Sequence, residues 1–463
     1  MASLPIAEPG KLRWTNRSVL TFAGGSDPVQ TLLAKVRDVV FRAFESGWAG
    51  PPYDPFALAA LLGIEVSPSK DVIDAQTLTG SGSSLRIEFN PDRPVARINY
   101  SVAHELGHSL FPDCSELVRH RLKHSGATPD EWQLEMLCNI AAAEILMPVG
   151  TLRRDDLEPN IDRLLQLRKQ YAVSSEAVLL RVIRLTHRKC FGFLARREPD
   201  SPTGRYRIDY AAASRHWNRP IESGFALQHS SVISQCTAIG YTAKASEKWS
   251  KEGPAWKVES LGIPPYPGRS YPRVLGIVWP VDSVESPGTG IAYLKGDATA
   301  PRGEGFRILA HIVSDRTMIW GAGFGRAVRR KWPGVQEEFA KWAVSHRAEC
   351  SLGNIHFSRI DDSLAVAHLI AQHGVGPSST PRIRYGALES CLQKLADHAS
   401  ATRATVHMPR IGTGEAGGAW EIVSEVIEDT LCNRNVDVTV YDLPTSAERR
   451  GARQSILSFP RAQ

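Results

Sequence analysis

The sequence predicts a multidomain protein of mixed class, α+β followed by α/β. A mainly helical region runs to about residue 190, a small β-rich region covers 191–285, and an α/β/α layered domain covers 286–446. Three observations predict this. The chain has 463 residues, more than one ordinary core accommodates. Gly and Pro become frequent after about residue 190, in "EPDSPTG", "KEGPAW" and "GIPPYPGRSYP". From about residue 290, β-like and helical segments alternate, the pattern of a layered α/β domain.

The elements follow in order. "VQTLLAKVRDVVFRAFESG" has the periodicity of an amphipathic helix. "LRIEFNPDRPVARINYSVAHELGH" reads as two strands and a turn leading into a helix. In "TPDEWQLEMLCNIAAAEILMP", Thr128, Pro129 and Glu131 form a capping-box start with proline at the first helical position, and Pro148 ends the run. "LRKQYAVSSEAVLLRVIRL" reads as two helices across a turn that pack to complete this region, in preference to a DNA-binding element. "RYRIDYAA" and "RVLGIVWP" are the β-like runs of the middle region, and "VESPGTG" at 283–289 reads as a linker. The tail after Pro444, 447–463 included, is polar and expected to be loose.

Composition narrows the class. Charged residues are 22% and hydrophobic ones 42%, which is a folded composition. The net charge of +6 permits an anionic partner such as nucleic acid without requiring one. The seven cysteines are scattered and form no C-x-x-C pair, which argues against a disulfide framework or a cysteine-rich zinc site. The N-terminus lacks a basic start followed by an apolar run, and no stretch reaches bilayer length. A reducing cytoplasm and no membrane partner are expected.

The chemistry begins at His104-Glu105-Leu106-Gly107-His108. Residues four apart share a helix face, so His104 and His108 can aim both imidazoles at one divalent ion. Glu105, beside them, can act as a general base toward water activated by zinc. Gly107 would allow another backbone to come close. A catalytic zinc wants a third protein ligand. Glu135 is the candidate: it sits among Trp132, Leu134, Leu137 and Ile140, where a carboxylate needs a partner. Asn139, one turn on, is placed to support it. Glu144 is half a turn out of phase and cannot reach the same ion. His120 and His124 are also four apart, but flanking Arg and Lys make them a solvated basic face.

"HELGH" followed by "ExxxNxxAAEILMP" resembles the ImmA/IrrE family of metallopeptidases, over about residues 85 to 190. The resemblance implies a zincin-like domain in which His104, His108 and Glu135 bind zinc and Glu105 is the catalytic base. Cys138 and Ala141 stand where the family often has Ala and an aromatic, a change in packing. Relatives cut, or provoke the cutting of, a repressor, so a protein substrate is implied, a transcriptional repressor or a toxin partner among the options.

Further on, "LKGDA" places Asp297 just after a predicted strand. "WGAGFG" at 320–325 and "PRIGTGEAGGAW" at 409–420 lie between predicted strands and helices. Glycine lets backbone N–H groups approach phosphate oxygens, and a helix N-terminus adds positive potential. These pieces resemble a macro domain, from about 290 to 443, closest to the branch of terminal ADP-ribose protein glycohydrolase and the DarG antitoxin. The likeness implies that Asp297 holds the adenine amino group. Gly321 and Gly323 in one loop, and Gly412, Thr413, Gly414 and Gly417 in the other, would wrap the diphosphate of ADP-ribose or a derivative. Tyr441 would lie near adenine. That glycohydrolase uses a Lys and an Asp where this chain has Gln372 and His373, and Ala416. Neither group replaces a Lys nucleophile directly, so binding without catalysis is expected. The combined expectation is a cytoplasmic zinc endopeptidase regulated or recruited by an ADP-ribose-binding macro domain, in stress response or phage defence. The alternative is an ADP-ribosyl hydrolase regulated by the N-terminal domain.

Overall fold

The computed structural model describes residues 14–79, 84–114, 130–152, 157–198, 205–217, 224–228, 230–249, 254–265, 271–281, 290–376 and 378–443. The chain divides into two compact units, Met1–Gly288 and Thr289–Gln463.

The N-terminal unit opens with helices α1 (Arg17–Ala23), α2 (Pro28–Glu45) and α3 (Pro55–Leu61). Asn16, Asp27 and Asp54 cap them by accepting from the N–H groups of Val19, Gln30 and Phe56. The expected amphipathic helix is α2, which buries Leu32, Leu33, Val36, Val39, Val40 and Ala43. A three-stranded sheet follows: β1 (Glu65–Pro68), β2 (Ala75–Thr79) and β3 (Leu85–Phe89), in the order β1-β3-β2. Helices α4 (Val95–Ser109), α5 (Glu131–Leu146), α6 (Ile161–Tyr171) and α7 (Ser175–Leu185) complete this part.

Two expectations change here. "VARINY" is not a second strand but the first turns of α4, entered from Pro94. Its β-like residues are overruled by packing, because one helix face buries Val102, Ala103 and Leu106 against the core. Thr128 and Pro129 lie outside the described residues, as do His120 and His124. The helix is described from Glu131, after Asp130, whose side chain makes no cap bond.

α5 is buried along most of its length through Leu134, Leu137, Cys138, Ala141, Ala142, Ile145 and Leu146. Gln133, also buried, accepts from the N–H groups of Thr15 and Asn16, each at 2.9 Å, and so ties α5 to the start of α1. Glu144 pairs with Arg181 at 2.7 Å and Arg37 at 3.5 Å, all three nearly inaccessible. Such a paired charge holds three helices together, whereas an unpaired one would oppose folding.

Five antiparallel strands come next: β4 (Phe191–Arg197), β5 (Tyr206–Ala213), β6 (Thr242–Lys248), β7 (Ala255–Ile263) and β8 (Arg273–Pro280), in the order β5-β4-β8-β7-β6. "RYRIDYAA" and "RVLGIVWP" are β5 and β8. Alternation gives this sheet two apolar faces. Leu194, Leu261, Ile263, Leu275 and Ile277 join the helical core. Phe193, Tyr206, Ile208, Trp217, Trp256 and Val258 form a second cluster. Gly192 is needed at the first face, since a Cβ there would lie 2.7 Å from Leu179 of α7. Glu259 of β7 accepts from the N–H of Ile161 at the start of α6, at 2.9 Å.

The C-terminal unit is a six-stranded sheet with helices on both faces. Its strands are β9 (Ala292–Lys295), β10 (Arg307–Ser314), β11 (Ile355–Arg359), β12 (Leu364–Gln372), β13 (Thr405–Pro409) and β14 (Val438–Asp442), in the order β11-β12-β10-β13-β14-β9. β11 is antiparallel and the other pairs are parallel. The helices are α8 (Gly323–Lys331), α9 (Pro333–Ser345), α10 (Tyr385–Thr402) and α11 (Trp420–Thr430). Val328, Val335 and Phe339 of α8 and α9 pack on Leu309, Val313, Val366 and Ile370. The central strands are apolar on both faces, as a covered parallel sheet requires. The stretch 283–289 and the tail from 444 lie outside the described residues.

Two histidines stand within the α8/α9 layer. His311 Nε2 meets His368 Nδ1 at 2.7 Å, and His368 Nε2 meets Ser358 Oγ at 3.0 Å. Ser358 donates to the Glu338 carboxylate. Burial brings the His311 imidazole down to about 3. His368 lies well below its ordinary range through burial, then the neighbouring His311 and His356. Both are neutral in the folded state and protonate on unfolding. Their contribution is full above about pH 6.5 and is lost as pH falls from there toward the folded values. In urea melts followed by tryptophan fluorescence, we expect the transition containing Trp320 to weaken by about 1.4 kcal/mol per pH unit per histidine below 6.5. His368→Gln should remove about half of that slope; a slope unchanged by the substitution would mean that other groups set it.

Candidate functional site

Helix spacing brings the first set of residues together. His104 and His108, four apart on α4, have ring centroids 5.0 Å apart. Glu135 of α5 reaches both: its Oε2 lies 3.1 Å from His104 Nε2 and its Oε1 3.5 Å from His108 Nε2. Ligand atoms of the three residues all fall within 4.8 Å of one another, the arrangement that could hold one metal ion. Gly107 makes the approach feasible. A Cβ there would sit 3.1 Å from Cys138 Cα and 3.1 Å from Ala141 Cβ, so only glycine lets α4 lie this close to α5. The small residues Cys138 and Ala141 are the other half of that contact.

Electrostatics favour an ionised carboxylate. Burial alone would lift the Glu135 pKa; hydrogen bonds from His104 and His108 outweigh it and hold the group far below the usual carboxylate range. Burial pulls His104 down, but the Glu135 hydrogen bond and charge leave it raised overall. An anionic oxygen flanked by two imidazole nitrogens is the donor set expected for zinc.

The partners of the set were only partly anticipated. Asn139 supports His104 and not Glu135: its Oδ1 lies 2.9 Å from His104 Nδ1 and accepts from the Tyr100 hydroxyl at 2.6 Å. An amide oxygen only accepts, so His104 Nδ1 carries the proton and Nε2 presents its lone pair toward Glu135. Tyr100 is kept protonated because burial, chiefly, raises its pKa. Glu105 accepts from Thr77 Oγ1 of β2 at 2.6 Å. Sequence reading did not find Thr77 or Tyr100. Tyr100 is four residues before His104, a helical neighbour that could have been noticed; Thr77 carries no local signal. Glu144 lies in the Arg37–Arg181 cluster, away from this set.

In the C-terminal unit, Asp297, loop 320–325 and loop 409–420 follow the carboxyl ends of β9, β10 and β13. These strands are parallel within one sheet, so all three segments gather at one edge, where open α/β sheets take ligands. Asp297 is exposed, with Oδ1 accepting from Thr299 N–H at 2.9 Å. Gly321, Gly323 and Gly414 have nothing within 4 Å of a hypothetical Cβ, so backbone is open to a ligand there. Gly412 is different: its φ is +76° and a Cβ would strike Ile383 Cδ1 at 2.6 Å, so it shapes the loop. Gly417 has φ +69°. Thr413 Oγ1 donates to Arg410 C=O at 2.8 Å, so its hydroxyl is turned into the loop. Tyr441 is buried, and its hydroxyl accepts from Arg302 N–H at 2.9 Å. It is a core residue, not an exposed platform for a base.

Comparison with known proteins matches both regions. Residues 64–182 match the family model of the IrrE N-terminal-like domain, Peptidase_M78. Human ADP-ribose glycohydrolase OARD1 is 30% identical over 158 residues, covering 34% of this chain and 93% of that protein. The chain thus belongs to the IrrE N-terminal-like peptidase family in its N-terminal part and to the macro-domain family in its C-terminal part. Mouse chromodomain-helicase-DNA-binding protein 1-like is 31% identical over 183 residues, 37% of this chain, which spans only 20% of that longer protein. Among solved structures, a macrodomain protein from Streptomyces coelicolor is 39% identical, with a TM-score of 0.30, covering 33% of this chain and 98% of that one. The macrodomain of Mycobacterium tuberculosis DarG is 18% identical, with a TM-score of 0.28, covering 34% and 98%. Among the described residues no helix is long and apolar enough to cross a membrane.

The α4–α5 contact generates a direct test. Gly107→Val would force the helices apart, and we expect a loss of about 1–3 kcal/mol in urea unfolding. Unchanged stability would show that the contact tolerates more volume than the geometry allows.

Proposed function

We propose that the protein is a metal-dependent endopeptidase, zinc being the metal, whose activity on a protein target is regulated or directed by an ADP-ribose-binding macro domain. The observation that carries the first part is the convergence of His104, His108 and Glu135, with Glu105 beside them and hydrogen-bonded to Thr77. His104, His108 and Glu135 would hold the ion, and a bound zinc supplies Lewis acidity toward the scissile carbonyl. Glu105 takes a proton from the attacking water and delivers it to the departing amine. Thr77 fixes the carboxylate for that task. Asn139 and Tyr100 hold the His104 ring so that Nε2 faces the ion. Within its sheet β2 pairs only with β3, so its outer edge suits an extended peptide added as a further strand beside Glu105. A protein substrate is therefore favoured over a small molecule. A cytoplasmic setting and a stress or defence role agree with the family likeness.

The macro-domain reading rests on the open glycines Gly321, Gly323 and Gly414, with Asp297, at one sheet edge. Regulation requires only that the ligand favour one state of the protein over another; recruitment requires only that it anchor the chain to a modified molecule.

Metal analysis and cleavage assays test the peptidase. Glu105→Gln should keep one equivalent of zinc and lose about 10²–10⁴-fold in rate, whereas His104→Ala should lose both metal and rate. A zinc-free Glu105→Gln protein with an intact fold would count against these roles. Calorimetry with free ADP-ribose tests the macro domain: binding is expected in the wild type and absent in Gly414→Glu, where a side chain occupies the open backbone. Equal binding by both would place the ligand elsewhere.

A further inference from the structure

His373 stands just beyond β12 and Asp315 just beyond β10, neighbouring parallel strands. The two side chains meet, with His373 Nδ1 2.9 Å from Asp315 Oδ2. The backbone locks the pair in place. Asp315 N–H donates to Gln372 C=O at 3.0 Å, and Gly374 N–H donates to the other carboxylate oxygen at 3.3 Å. Asp315 is mostly buried at 12% exposure, while His373 keeps 40%. A carboxylate only accepts, so Nδ1 carries the proton and Nε2 bears the lone pair. Nε2 has no protein partner among the described residues. An imidazole held by a carboxylate with its far nitrogen free is the orienting arrangement of a general base.

Its place matters as much as its geometry. β10 runs through Asp315 into the 320–325 loop. His373 N–H donates to Arg382 C=O at 2.8 Å, and Arg382 N–H donates to Ala416 C=O at 2.8 Å, so two backbone bonds join the histidine to the 412–417 loop. The dyad thus stands at the sheet edge between the two glycine loops.

We propose that Asp315 and His373 make the macro domain a hydrolase of O-linked ADP-ribosyl groups, with His373 as general base and Asp315 as its positioning residue. This rests on the reading that these loops bind ADP-ribose. His373 Nε2 removes a proton from water as the water oxygen bonds to the anomeric carbon. The bond from that carbon to the linking oxygen breaks, its electron pair leaves with the oxygen, and the imidazolium returns its proton to the leaving oxygen or to solvent. Water is the only co-reactant. No lysine nucleophile is needed, which accommodates the absence of a lysine at Gln372 and His373.

The test uses the full chain and a peptide mono-ADP-ribosylated on glutamate, with release of ADP-ribose as readout and calorimetry with ADP-ribose alongside. Wild type is expected to release ADP-ribose. His373→Ala should lose about 10²-fold in kcat or more, keep KM and ADP-ribose affinity, and regain activity with added imidazole. Asp315→Asn should lower kcat while leaving KM and affinity unchanged. Wild type that binds ADP-ribose but releases none, or a His373→Ala variant as fast as wild type, overturns the proposal while leaving the binding reading intact. Failure of wild type to bind ADP-ribose removes both.

Discussion

The N-terminal site depends on how closely two helices lie. α4 brings two imidazoles and α5 brings one carboxylate, and neither helix alone assembles a three-atom donor set. Gly107 against Cys138 and Ala141 sets their separation. The rest of that unit holds this geometry in place. The buried Glu144 is clasped by Arg37 of α2 and Arg181 of α7, which anchors the far end of α5. Gln133 anchors its near end to the start of α1. Asn139 and Tyr100 then fix one ring within a frame that is already rigid. Preorganisation of this kind is what allows a donor set to hold an ion without paying for reorganisation.

The C-terminal unit solves a different problem by topology. Parallel strands send their carboxyl ends the same way, so residues remote in sequence share one rim. The glycines there divide into two kinds. Gly321, Gly323 and Gly414 leave backbone open, whereas Gly412, packed under Ile383, sets the course of its loop. Substitutions at the two kinds of position should therefore fail for different reasons, one by blocking a ligand and the other by straining the chain.

Much of this was legible in the sequence. Helical spacing is short-range, so the pairing of His104 with His108 could be read directly, and the phase of α5 separated Glu135 from Glu144. The alternation of strands and helices after residue 290 and the two glycine loops were equally plain. What escaped was set by contacts distant in the chain. Thr77 meets Glu105 across 28 residues, and Asp315 meets His373 across 58. Asn139 was placed one turn from Glu135 and given to it, but the space opposite was filled by His104 and Tyr100. "VARINY" has the composition of a strand and became helix because the core beneath α4 wanted a helical stripe. Tyr441 has the look of a stacking residue and is instead built into the interior.

The second sheet of the N-terminal unit carries one more consequence. Its inner face supplies Leu194, Leu261, Ile263, Leu275 and Ile277 to the same core that the helices share, and Gly192 lets β4 settle onto Leu179. A fragment cut after α7 would leave that apolar floor bare to water. The peptidase-like helices and the strands after them are thus a single heritable piece, and any shuffling of this half of the protein during evolution would have had to move them as one.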